Sequence, residues 1–168
     1  ALFAISISVA LVGPGATTAS SAVPGERVSK PLHRAIRDLP VAHETPRGYD
    51  RDKFRHWVDA DGDCQDTRDE VLGAESLVEV SGCDIQHGSW RSYYDGVLTR
   101  SSTEFDIDHL VPLAEAWRSG AKRWTALTRQ RFANDLGDPR SLVAVDASAN
   151  RSKSDSDPSD WMPDLDHC

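Results

Sequence analysis

The sequence predicts an α+β fold, and three local patterns indicate it. Two short runs are typical of strands: FDIDH at 105–109 alternates apolar and polar residues, and SLVAV at 141–145 is mainly apolar. Asp146 follows the second run and can cap a helix that comes next. The pair Asp95-Gly96 lies between aromatic and aliphatic runs, which indicates a β-hairpin. The core is therefore expected to consist of a strand, a long insert, a second strand and a helix, with a hairpin in front.

The first residues are apolar in a way that is typical of an export signal. The run ALFAISISVALVG has about the length of a signal-peptide core and is too short to cross a bilayer comfortably. Small residues follow, and Ala19 or Ala22 can precede a cleavage site. We therefore expect an incomplete signal peptide at 1–22 and a secreted protein, with a membrane-anchoring helix as the alternative. The mature protein is expected to be a monomer without membrane contact.

The next segment separates the expected signal peptide from the folded domain. Residues 23–48 are rich in Pro and Arg and lack clear periodicity, which predicts a linker or mobile arm. The domain itself is expected at 49–168. Asp66 can cap a short helix over 67–73. The run SLVEV at 76–80 alternates in the way a strand does.

The insert between the two core strands is expected to contain two helices. One is predicted over 112–118, because Pro112 suits the first position of a helix. The other is predicted over 125–134. Trp117 and Trp124 belong to this region, and we expect both indoles in the core rather than stacked on a ligand.

Three cysteines are present, and no two of them form a Cys-x-x-Cys pair, so a structural zinc site is not expected. In an exported protein Cys64 and Cys83 are the natural disulfide partners. Their bond would close a loop of about twenty residues and stabilise the fold by about 3 kcal/mol in the chain-entropy model. Cys168 is left over, and either a partner outside this sequence or a free thiol would account for it.

Charge is distributed unevenly along the chain. The formal net charge is −8, so the molecule as a whole would repel nucleic acid. The stretch 117–153, however, carries eight Lys or Arg against three acids. We expect its cations to line a phosphate backbone without reading sequence, the alternative being a solvated helix face. Seven of the eight are expected to contact phosphate in this way, namely Arg118, Lys122, Arg123, Arg129, Arg131, Arg151 and Lys153.

Two adjacent ionisable residues, Asp108 and His109, close the first strand and open onto an apolar segment. If the two core strands pair, the helix after the second one places Asn150 over the end of the first. Mg²⁺ prefers oxygen ligands from carboxylates, amides, water and phosphate. Asp108 and the Asn150 amide oxygen match that preference. His109 can then take a proton from a water that attacks phosphorus, because its pKa lies near neutrality.

The stretches DIDHLVPLAEAW and SLVAVDASANRSKSD resemble the HNH nucleases, specifically a secreted bacterial branch with Asp in place of the first His. The HNH domain of RNA-guided CRISPR nucleases has the same order. The upstream stretch DADGDCQDTRDEVL resembles the front half of the secreted branch, so the resemblance covers about residues 49–163. It implies a ββα-metal fold around one divalent cation, Mg²⁺ or alternatively Mn²⁺. Asp108 and Asn150 would be its ligands, and His109 would be the general base.

One further position follows from the resemblance. The family commonly has an Asn at the start of the second strand that braces the loop holding the base, and this chain has Ser141 there. A hydroxyl also donates and accepts hydrogen bonds, but it is shorter than an amide. Arg68 is expected either to stabilise charge at the phosphorus or to pair with a nearby acid. Because family members usually continue beyond Cys168, a truncated C-terminus is one interpretation.

The sequence thus predicts a secreted, metal-dependent HNH-type endonuclease that hydrolyses phosphodiester bonds in DNA, with RNA left open and with little sequence specificity. The alternative is a secreted cation-binding or adhesion module. That alternative draws on the acidic stretch 50–84, where Asp59, Asp61 and Asp63 could bind a cation. These residues do not complete an EF-hand loop, because Cys64 occupies the position of the required Gly.

Overall fold

The structure is a computed structural model that describes residues 29–38 and 43–165. The predictions for 1–22 and for Cys168 lie outside the described residues. Within the described part, no helix is long and apolar enough to cross a membrane. The helices are α1 (Leu32–Asp38), α2 (Thr67–Glu75), α3 (Leu113–Arg118), α4 (Ala126–Ala133) and α5 (Ala147–Lys153). The strands are β1 (His87–Arg91), β2 (Leu98–Ser101), β3 (Phe105–His109) and β4 (Leu142–Asp146). The predicted α+β class is confirmed.

Strands β3 and β4 pair antiparallel along their whole length, from Phe105 opposite Asp146 to His109 opposite Leu142. Helix α5 starts directly after β4, because the Asp146 side chain accepts hydrogen bonds from the backbone of the first helical turn. The chain therefore folds back over β3 without a connecting loop. This is the predicted order of strand, insert, strand and helix, and it forms a ββα unit.

Side-chain alternation gives the β3–β4 pair two different faces. On one face Phe105 and Ile107 of β3 pack with α2, which contributes Val71 and Leu72 to the same buried cluster. The opposite face of β3 carries its acidic residues and lies under α5, while Val143 of β4 packs there with aromatic residues. The apolar face of the pair therefore packs against α2, and the acidic face of β3 lies against α5.

The hairpin predicted around Asp95 and Gly96 is confirmed. Strands β1 and β2 pair antiparallel with a bulge between His87 and Trp90. The connection is longer than a two-residue turn, and Gly96 adopts φ +75°, the left-handed region that favours Gly. The buried Trp90 indole donates its Nε1 hydrogen to the carbonyl of Leu72, which joins the hairpin to α2.

Most of the predicted helices are confirmed. Asp66 caps α2, which extends two residues beyond the predicted end. The two insert helices are present, and Trp117 is buried with Trp124 packed against the same cluster. The disulfide between Cys64 and Cys83 is present.

Three segments differ from expectation. The run at 76–80 is irregular rather than a strand, because its apolar side chains Leu77 and Val78 point largely to solvent and burial does not support the alternation. Tyr49, Phe54 and Trp57 have a loosely helical spacing in the sequence, but their segment forms only one 3-10 turn, Arg51–Lys53. Helix α1 lies inside the predicted linker 23–48, although it buries no side chain.

Candidate active site

The ends of β3 and α5 open into one cleft of about 470 Å³. Asp108, His109 and Asn150 all line it. The structure therefore brings together the three side chains that the sequence singled out, although Asn150 is 41 residues beyond His109 in the chain numbering. Strands β3 and β4 pair side by side, and α5 returns Asn150 over β3, where it contacts Asp106 and lines the same cleft as Asp108.

His109 is buried at the end of β3, and its imidazole is fixed by one hydrogen bond. Its Nε2 lies 2.9 Å from the carbonyl oxygen of Ala133, at the end of α4. Because a carbonyl only accepts, Nε2 must carry the hydrogen, and Nδ1 of the neutral ring is then the acceptor. The ring therefore has the tautomer required of a base that takes its proton on Nδ1.

Aromatic residues enclose the same imidazole. The Trp57 indole stacks on it with ring centroids 5.7 Å apart and planes inclined by 29°. The His56 ring meets it edge-on, with centroids 6.4 Å apart. Burial lowers the pKa of His109 to about 4, and the positive charge of Arg51 acts in the same direction. The imidazole is therefore neutral at pH 7, but its pKa lies below the near-neutral value expected from the sequence, so the ring is a weaker base than a free imidazole.

Asp108 is buried and held by two donors on a single oxygen. Its Oδ2 accepts a hydrogen bond of 2.5 Å from the Tyr94 hydroxyl and an ion-paired contact of 2.8 Å from the Lys153 ammonium. Burial raises the pKa of Asp108, while the Lys153 charge opposes that rise. Since both donors use Oδ2, Oδ1 is the oxygen that remains for a ligand.

Lys153 also lies 3.3 Å from the carbonyl oxygen of His109, and its side chain is 6% exposed. The prediction that Lys153 contacts phosphate is therefore wrong, because its ammonium is committed to Asp108. Tyr94 was missed by sequence reasoning altogether. It lies in the hairpin connection, and no local pattern relates it to β3.

Asn150 is oriented by a second acid of β3. Its Nδ2 lies 3.1 Å from Oδ2 of Asp106, and an ionised carboxylate can only accept, so the amide nitrogen must face Asp106. The amide oxygen then points away from Asp106. Asp106, Asp108 and Asn150 together offer an all-oxygen donor set, which suits a hard cation such as Mg²⁺ better than a soft metal.

Ser141 does not brace the base through its hydroxyl. The hydroxyl donates to Oδ2 of Asp135 at 2.9 Å, whereas the Ser141 backbone carbonyl accepts from the backbone N–H of Leu110 at 3.1 Å. The loop after His109 is therefore tied by main chain. Asn134, the residue directly after Ala133, was missed by sequence reasoning. Its side-chain oxygen accepts a hydrogen bond from the backbone N–H of Val58 at 3.1 Å, which fixes this residue in place.

Several predicted cations are used inside the fold. Arg118 forms ion pairs with Glu115 and Asp155. Arg129 donates to backbone carbonyls that include that of Lys53. Arg68 is not among the residues that line the cleft, and it donates hydrogen bonds to the carbonyl oxygens of Ser102 and Phe105.

The cations that do border the cleft are Arg151, which the sequence predicted, and Arg51, which it did not. Arg51 belongs to the acidic stretch of the sequence, where nothing marked it as a ligand-binding residue. The remaining predicted cations of the insert are not part of the cleft lining. They are Lys122, Arg123 and Arg131.

The acidic loop near the disulfide brings Asp59, Asp61 and Asp63 together, with ligand oxygens within 4.8 Å of one another. All three side chains are exposed. Each carboxylate accepts a backbone hydrogen bond within the loop, for example Asp59 from Gly62 at 2.7 Å. These bonds explain the clustering as turn formation.

Comparison with known proteins gives a family for this chain. Residues 66–166 match the family model of the C-terminal domain of GmrSD restriction endonucleases. A fungal protein described as an uncharacterized secreted protein, from Arthroderma benhamiae, is 43% identical over 155 residues, which is 90% of this chain and 69% of that protein. No solved structure matches. Since the matched region spans more than half of the chain and contains β3, β4 and α5, the chain belongs to the family of the C-terminal domain of GmrSD restriction endonucleases.

Proposed function

We propose that this protein is a secreted, monomeric, divalent-metal-dependent endonuclease of the HNH type that hydrolyses phosphodiester bonds in DNA. The observation that supports this best is the shared cleft of Asp108, His109 and Asn150, with the imidazole held so that Nδ1 is its acceptor. Export is supported by the disulfide and by the description of the fungal relative as secreted.

His109 serves as the general base. Its neutral ring accepts the proton of the attacking water on Nδ1, a contribution typically on the order of 10²–10⁴ in rate. The Nε2 hydrogen bond to Ala133 strengthens when the ring becomes positively charged, because charge-assisted hydrogen bonds are stronger than neutral ones. The carbonyl of Ala133 therefore both fixes the ring and stabilises its protonated form.

Asp108 and Asn150 would hold the cation through the oxygens that their other hydrogen bonds leave available. When bound, the cation neutralises charge on the scissile phosphate and on the departing oxygen. Lys153 and Tyr94 keep the Asp108 carboxylate in place, and Asp106 keeps the Asn150 amide in place. The ligands are thus positioned before any cation arrives, which limits the reorganisation that binding requires.

A plasmid-nicking assay with Mg²⁺ or Mn²⁺ tests this function. The wild type is expected to nick plasmid with either metal and to stop when chelator is added. His109→Ala is expected to lose cleavage while its fold and metal affinity stay nearly unchanged. A fully active His109→Ala variant would remove His109 from the reaction.

The competing function is a secreted cation-binding module without catalysis. The specific observation in its favour is the group formed by Asp59, Asp61 and Asp63. Tight calcium binding by the wild type, lost on Asp61→Asn and accompanied by no nicking under any metal, would support that function and contradict the nuclease.

A further inference from the structure

Two arginines from distant parts of the chain border the catalytic cleft. Arg51 lies in the 3-10 turn Arg51–Lys53, and Arg151 follows Asn150 on α5. Both side chains are exposed. Arg51 precedes the region matched by the family model, which starts at residue 66. One of the two cations at the cleft is therefore supplied by the segment in front of the family's common core.

Neither guanidinium is committed to another part of the protein. Within residues 29–38 and 43–165, no ion pair involves Arg51 or Arg151. Arg118 and Arg129 differ in this respect, since acids and backbone carbonyls occupy their guanidinium groups. The cleft thus has two available cations, whereas these two cations of the insert are occupied.

The electrostatic setting of the cleft suits an anion. Arg51 lines the same cleft as His109, so its guanidinium lies at the site of the proposed reaction. Two acids also line the cleft. Asp155 is ion-paired with Arg118 at 2.5 Å, and Asp108 is ion-paired with Lys153 at 2.8 Å. Their negative charge is largely compensated. Among the described residues no acid lies within ion-pair distance of either arginine, and the hydrogen bond from Ser148 and, less strongly, the charge of Arg151 lower the pKa of Asp146.

We propose that Arg51 and Arg151 bind the phosphate backbone of the nucleic-acid strand that enters the cleft. The strand then passes between the turn at residue 51 and helix α5, not along the basic insert. This inference rests on the proposed nuclease function. A guanidinium matches a phosphate by two parallel hydrogen bonds, and such contacts position a strand without reading its bases. The site therefore accepts nucleic acid with little regard to sequence.

Binding in the presence of chelator tests the two arginines separately from cleavage. Fluorescence anisotropy of a labelled DNA duplex and of its single strand gives Kd for the wild type, Arg51→Ala, Arg151→Ala and the double variant. Each single variant is expected to bind about five- to tenfold more weakly and to lower the slope of log Kd against log salt by about one. The double variant should lower that slope by about two.

Matched variants separate a phosphate contact from a structural effect. Arg100→Ala removes an exposed arginine of β2 that lies outside the cleft, and it should bind DNA as the wild type does. Arg51→Lys and Arg151→Lys keep the charge, so they should recover the salt slope and part of the affinity. Thermal unfolding of every variant should match the wild type.

The proposal is overturned if the wild type does not bind DNA in chelator, or if the alanine variants keep its Kd and salt slope. The nicking assay tests independently whether the protein cleaves DNA. A wild type that nicks plasmid while the alanine variants bind and nick normally leaves the nuclease intact and removes the arginine pair. A wild type that binds through the arginines but never nicks removes the nuclease function instead.

Discussion

The Trp57 indole lies stacked on the His109 imidazole, with ring centroids 5.7 Å apart and planes inclined by 29°. Trp57 adopts φ +56°, the left-handed region that bulky residues rarely occupy. Such a conformation costs on the order of 1 kcal/mol and persists only where the surroundings enforce it. The backbone strain coincides with the contact that covers the proposed base, so we assign Trp57 to positioning His109.

Trp57→Ala is expected to lower kcat about 10- to 100-fold with little change in KM, because a displaced imidazole misaligns the proton transfer while the cleft keeps its phosphate contacts. Trp57→Phe retains an aromatic face and should recover most of kcat. Steady-state nicking rates over a substrate series give both constants. A Trp57→Ala variant that changes KM alone would place the indole in substrate binding instead.

Lys153→Met is expected to destabilise the metal-free protein, because it leaves the buried Asp108 carboxylate without its ammonium partner. Removing one member of a buried pair typically costs about 3–5 kcal/mol. Mg²⁺ should restore part of the lost free energy of unfolding, because the cation supplies positive charge at the same carboxylate. Urea unfolding with chelator and with excess Mg²⁺ measures both effects, and the stabilisation by Mg²⁺ should be larger in the variant than in the wild type.

Asp108→Asn provides the control for this pair. The amide is uncharged and needs no ammonium partner. Lys153→Met should therefore lower the free energy of unfolding by less in the Asp108→Asn background than in the wild type. Equal costs in the two backgrounds would show that the ammonium stabilises the fold independently of Asp108.

The ββα unit could be predicted from sequence because its signals are local. The runs at 105–109 and 141–145 carry strand patterning, and Asp146 begins α5 through its own side chain. Once the two strands are taken to pair, the helix that follows β4 returns Asn150 over β3, so this placement needed only the pairing of two short strands and one helix turn.

The surroundings of the site could not be predicted in the same way. Tyr94 and Trp57 reach β3 from segments that share no periodicity with it, and tertiary packing alone brings them there. Lys153 reads as a solvated helix residue because its burial depends on Asp108 lying beneath α5. Leu77 and Val78 show the opposite error. The alternating pattern around them predicted a strand, but their side chains are largely exposed and pack against no buried face.

Glu75 is expected to make stability depend on pH. Its carboxylate accepts a hydrogen bond from the Ala144 backbone of β4 at 3.1 Å, and burial raises its pKa from 4.5 to about 7. A raised pKa means that the folded state binds the proton more tightly. The stabilisation is complete below pH 4.5 and is lost as the pH rises through about 7.

Glu75→Gln should therefore raise the free energy of unfolding at pH 8, by at most about 3 kcal/mol, and leave it unchanged at pH 4. The Gln amide oxygen can keep the hydrogen bond from Ala144, so the variant isolates the effect of charge. Urea unfolding at the two pH values measures it. A loss of stability that is the same at both would mean that packing, not ionisation, governs this position.

Ser141→Ala is expected to change kcat less than about threefold, because the Ser141 backbone carbonyl, not its hydroxyl, ties the loop after His109 through Leu110. The variant should lose about 1 kcal/mol of stability, the typical value of the hydrogen bond to Asp135 that it removes. Asp135→Asn weakens the same bond from the other side and should behave alike in both measurements. A tenfold fall in kcat for Ser141→Ala, with unfolding unchanged and Asp135→Asn normal, would give the hydroxyl a direct part in positioning the base.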